Sequence, residues 1–174
     1  MTPSTNEHSV VAIYDSHLGA ESAVKSLQKE GLDMKRLSIV GKDFQTEEHA
    51  LGFYSAGDRM KFWGSRGIFW GGLWGMLFGS AFFLIPTIGP IVVMGPLVSW
   101  IVGSLEVAAL GGAAGVLGAA LSSLGIPKES VVKYEMAVKA GQFLVLVRGP
   151  AGVIEHARSV LRNTNPTQLT AHAS

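Results

Sequence analysis

From Gly67 to Pro127 run 61 positions with a single ionisable side chain, Glu106, and this block constrains the fold more than any other feature. A soluble domain of this size needs charge on its outside. Charged residues make up 16% of the chain, against about 25% in a typical soluble domain, and the hydrophobic share is 48%. The imbalance is local to the block. Gly67 to Ile85 is 19 residues, about the length of a helix that crosses a hydrocarbon core, and Pro86-Thr87-Ile88-Gly89-Pro90 then forces a turn. The return stretch, IVVMGPLVSWIVG, contains Pro96, which predicts a kink or a re-entrant segment. Apolar character continues past Glu106, so roughly 110–125 is a surplus helix. It could lie along the interface, line an oligomer or extend the second span. The expectation is a glycine-rich transmembrane helical hairpin over 67–126, preceded by a linker over 44–66.

The two ends have a different grammar. Ser9 to Tyr14 (SVVAIY) is a β-branched run, followed by Asp15 and Ser16 as helix caps. Ala20, Ala23, Val24 and Leu27 then recur at helical spacing up to Gly31. Leu37 to Val40 reads as a second strand. After Pro127 come a helix over 128–140, the strand FLVLV over 143–147, a helix opened by Gly149-Pro150, and a weak edge strand over 167–171. The segments 9–43 and 127–171 thus read as two halves of one α+β domain, a ferredoxin-like split β-α-β arrangement interrupted by the hairpin.

Halves that share a sheet must lie on one side of a bilayer, which requires an even number of crossings. Arg59, Lys61, Arg66 and Lys128 flank the block while the turn is uncharged. The positive-inside rule then places both termini in the cytoplasm and the hairpin in the inner membrane. Trp63, Arg66 and Trp70 are expected as interfacial anchors, and the turn rests on Pro86, Gly89 and Pro90.

Gly67, Gly71, Gly75 and Gly79 recur every four residues; Gly111, Gly118 and Gly125 repeat every seven, while Gly111, Gly115, Ala119 and Ser123 repeat every four. Small-residue faces let helix backbones approach closely in lipid. They either drive homo-oligomerisation as a glycine zipper or pack the hairpin on itself. Glu106 is the one possible intramembrane acid; it either handles protons or cations, or sits near the headgroups and pairs with Lys128.

Net charge is +1, so no global field recruits nucleic acid. Absence of cysteine excludes disulfides and thiolate chemistry. Five scattered histidines lack metal-ligand spacing, and no P-loop, GxSxG or dinucleotide motif occurs, so neither catalytic residues, metal nor cofactor is expected. The polar N-terminus carries no signal-peptide pattern.

The strings AESAVKSLQKEGLDMKRLSIVGKD, IPTIGPIVVMGPL and GIPKESVVKYEMAVKAGQFLVLVRG, followed by AGVIEHARSVLR, resemble bacterial proteins with a general stress protein (seventeen-M-like) domain around a glycine-rich insert. The resemblance spans about Ser9 to Ala171 and centres on the Tyr134-Glu135 helix running into a buried strand. Arg148 stands where relatives usually carry an acid. What the resemblance implies is a stress-associated membrane protein of undefined biochemistry. The functional expectation is a non-enzymatic membrane protein, with the lipid bilayer and its own copies as partners, that presents a cytoplasmic α/β domain. A small oligomeric channel, a self-assembling shell with buried hairpins, and a sensor for an unknown small molecule are the alternatives.

Overall fold

In the computed structural model, which describes residues 7–42, 80–85, 89–109 and 116–173, both ends of the chain contribute strands to one sheet. The elements are β1 (His8–Tyr14), α1 (His17–Lys29), β2 (Leu37–Lys42), β3 (Ser80–Ile85), β4 (Gly89–Met94), α2 (Leu97–Ala109), α3 (Val116–Ser123), α4 (Lys128–Lys139), β5 (Phe143–Gly149), α5 (Ala151–Arg162) and β6 (Gln168–Ala173). Local chemistry explains several boundaries. Ser16 caps α1 by accepting from the Gly19 N–H, as a hydroxyl at that position should. Helices α4 and α5 each follow a proline, Pro127 and Pro150, which has no N–H to lose at a helix start.

Strand order is β3-β4-β2-β5-β1-β6, and every neighbouring pair is antiparallel. The four strands from the two ends form the β2-β5-β1-β6 part, so β1 and β2 run parallel on either side of β5. Alternation along each strand then sorts side chains between two cores. Val10, Ala12, Leu37, Val145 and Val147 meet Leu27 of α1 and Leu161 of α5 on one face. Val11, Val40, Ile91, Val93 and Leu146 meet Leu97 and Ile101 of α2, Leu121 of α3 and Val138 of α4 on the other.

The α+β class holds, but the transmembrane hairpin does not. Ser80–Ile85, drawn in sequence as the end of a first span, is β3, and Gly89–Met94, drawn as the start of the second, is β4. The two pair with each other, and β4 pairs with β2. Helix α2 has 13 residues, about 20 Å of helix against a core of about 30 Å. Among the described residues no helix is long and apolar enough to cross a membrane. The inner-membrane placement and the membrane glycine zipper rested on that hairpin and fall with it. Physically, the sheet offered an alternative to lipid: its second face buries Leu97, Ile101, Leu117 and Leu121 almost completely. Apolar area removed from water stabilises by about 25 cal/mol per Å² whether protein or lipid receives it.

The expected reversal does occur, between Ile85 and Gly89, as the bend of a β-hairpin. Pro86 lies outside the described residues. Gly89 and Pro90 open β4, and Pro90 precedes the stretch of β4 that pairs with β2, so its missing N–H costs no bond to that strand. The kink expected at Pro96 is instead the joint from β4 to α2. Gly95 there has φ +91°, and a Cβ on it would collide with the Leu37 carbonyl oxygen of β2. Only glycine turns the chain at this distance from the sheet.

Candidate anion-binding cleft

At one end of the sheet, on the α2–α4 face, apolar side chains give way to polar ones. The turn Met34–Arg36, in which Asp33 Oδ1 accepts from the Lys35 N–H at 3.0 Å, delivers Lys35 and Arg36 to the start of β2. Leu37 is registered with Val147 of β5, so Arg36 and Arg148 emerge as neighbours one step further on. Because Leu144 and Leu146 face α2–α4, Arg148 does too. Its cross-strand neighbour is Ser9 of β1, whose neighbour in turn is His172 of β6. A polar row thus crosses the sheet where the hydrophobic core ends.

Helix α2 closes the row from above. Ser38 Oγ accepts from the Leu97 N–H at 3.1 Å and so fixes the helix start over β2. The next two amides bond to Gly95 O and Pro96 O, so the helix end contributes its dipole and no open donor. One turn on, Trp100 lies 4.9 Å beneath the Arg148 guanidinium carbon, a cation–π contact. Glu7 Oε2 stands 3.0 Å from Arg148 Nε but off its N–H direction, which makes an ion pair without a hydrogen bond. Between these groups is a cleft of about 190 Å³ lined by Lys35, Arg36, Ser38, Trp100, Leu124 and Arg148, with Glu7 at its side. Lys35, Arg36 and Arg148 line the cleft with one carboxylate, the Arg36 guanidinium also reaching over Gly149 toward Val153 of α5, and neither Lys35 nor Arg36 has a carboxylate partner among the described residues.

Beside the cleft, the Tyr134 hydroxyl and His172 Nε2 share a buried hydrogen bond of 2.6 Å. Burial lowers the His172 imidazole below its usual value, so the neutral ring is favoured. Burial raises the Tyr134 phenol, against a smaller opposing effect of the Thr170 side chain. Burial likewise raises the Glu135 carboxyl, partly offset by the Gly118 backbone. Glu135 Oε1 lies against Gly118 of α3 and is buried without a hydrogen-bond partner among the described residues.

Of the residues singled out in sequence, Gly118 is in α3, and a Cβ there would run into the Glu135 carboxylate of the same chain. Glu106 lies in α2. Gly67, Gly71, Gly75, Gly79, Gly111, Gly115, Trp63, Arg66 and Trp70 lie outside the described residues. Among the described residues, neither Gly89, Pro90 nor Gly118 lines the cleft. The cleft residues were missed because they come from positions near 36, 100 and 148. One signal was readable: Arg148 is the only charge in the strand FLVLVRG. No family model, curated protein or solved structure matches the chain.

Proposed function

We propose that this chain works by holding a small anion, with no chemical turnover. The observation that carries the reading is the gathering of Lys35, Arg36 and Arg148 around one cleft with only Glu7 to balance them. Guanidinium groups present paired N–H donors in a plane that matches phosphate and carboxylate oxygens. Trp100 keeps Arg148 extended beside the opening, and the positive end of α2 adds to the field. The cleft's volume is roughly six times the share of one water molecule in the liquid. A phosphate or short carboxylate fits that size; a dinucleotide does not. The membrane part of the expected role is gone, and a presented α/β domain that binds is what this reading keeps.

The test is unfolding by urea at constant ionic strength with inorganic phosphate or sulfate against chloride. A specific anion at ten times its Kd is expected to stabilise the fold by about 1.4 kcal/mol. Arg36→Met and Arg148→Met together should abolish the effect. Indifference to both anions, or stabilisation that survives in the double variant, sinks the reading.

A further inference from the structure

Among the described residues β6 stands at one end of the sheet, paired with β1 alone. We infer that its outer edge is an interaction surface for a second copy of this chain, the two β6 strands pairing antiparallel across a two-fold axis.

Backbone chemistry is the starting point. In an antiparallel strand alternate residues send both N–H and C=O to the same side, so half of the peptide groups of β6 point away from β1. No hydrogen bond reaches that side from any described residue. Edges of this kind are usually guarded by lysine, proline, a bulge or an inward charge. Strand β6 reads QLTAHA, with no proline and no Lys, Arg, Asp or Glu. Its register to β1 runs one to one from Gln168 to Ala173, so no bulge twists the edge away.

The edge is also held in place. On one face His172 is buried and bonded to Tyr134 of α4, and on the other Leu169 packs against the core beneath α1 and α5. A strand already fixed in pairing geometry loses little further freedom when a partner arrives. Self-pairing suits it because a two-fold axis sets identical rows of donors and acceptors against each other, and an uncharged strand does not repel its copy. Helix α5, which packs over β6, carries Glu155 and Arg158 at its surface as an ion pair with each other at 3.9 Å, so it adds no net charge beside the strand.

The experiment is sedimentation of the full chain over a wide concentration range, with hydrogen exchange of the β6 amides in parallel. A dimer is expected, with exchange from β6 slowing as protein concentration rises. Ala171→Lys, at an exposed position on β6, should weaken the dimer about tenfold or more while leaving circular dichroism unchanged. Ala173→Lys is the second variant should the first fold poorly, and the same loss is expected. A chain that stays monomeric throughout overturns the inference. So does a dimer untouched by these lysines, or one whose β6 exchange ignores concentration.

Discussion

Helices of opposite character pack against the two faces of the sheet. Helices α1 and α5 are amphipathic: Leu27 and Leu161 face the core, while Lys25, Lys29, Glu155 and Arg158 stay at the surface. Helices α2 and α3 carry one ionisable side chain between them, Glu106, and α2 leaves Val102 53% exposed. What separates a core helix from a membrane helix here is uninterrupted length and the presence of a sheet to cover. Hydrophobicity alone gives the same answer for both.

That equivalence can be broken by cutting into each face. Leu27→Ala and Leu121→Ala remove side chains that are fully buried on opposite faces, and each should cost about 3 to 4 kcal/mol in urea unfolding. A Leu121 loss below about 1 kcal/mol would mean that α3 covers the sheet only loosely. Next in size is Gly95→Ala, which puts a Cβ into a left-handed residue and against the β2 backbone. It should cost about 3 kcal/mol and act on the α2 side only, read as faster exchange in α2 than in α1.

A smaller effect depends on pH and involves His172 and Glu135 on the α2–α4 face. His172 is held below its ordinary value in the fold, so the unfolded chain binds the extra proton first. Its contribution is complete above about 6.5 and is lost as pH falls further. Glu135 is shifted upward, so its contribution has the opposite slope: complete below about 4.5, it is lost as pH rises through the elevated value. Unfolding of His172→Gln should therefore be less sensitive to acid than the wild type, and that of Glu135→Gln less sensitive to rising pH. Equal slopes in all three proteins would show that neither burial matters. Smallest of all is Gly118→Ala. Gain in helix propensity of up to about 1 kcal/mol opposes displacement of the flexible Glu135 carboxylate, for a net change within about 1 kcal/mol and no change in particle mass.

The legibility of the sequence followed the same division. Where one stripe of a helix was apolar, as at Ala20, Ala23, Val24 and Leu27, period and caps located α1 correctly, and FLVLV located β5. In the low-charge block the pattern had no polar face to set its phase. SAFFLI and GPIVVM are continuous apolar runs, which fit a buried strand and a helix equally. The turn between them was found, but its type was not. Gly125 repeated every seven residues with Gly111 and Gly118 as though on a packing face, yet at φ +81° it ends α3. The cleft was illegible for another reason: Arg36 and Arg148 become neighbours only through strand register.

That strand order also sets a timetable. Among the described residues β1 pairs with β5 and β6, both made after it, so Tyr14 waits for Phe143, 129 residues later. At ordinary rates of synthesis the delay is on the order of ten seconds. Until then β2, β4 and β3 can pair with one another, but Val10 and Ala12 have no strand to lie beside. Closing so long a separation adds little to the equilibrium cost, since each doubling of a loop costs only about 0.6 kcal/mol. The burden falls on the nascent chain, which must keep its first strand from other partners until the last third emerges.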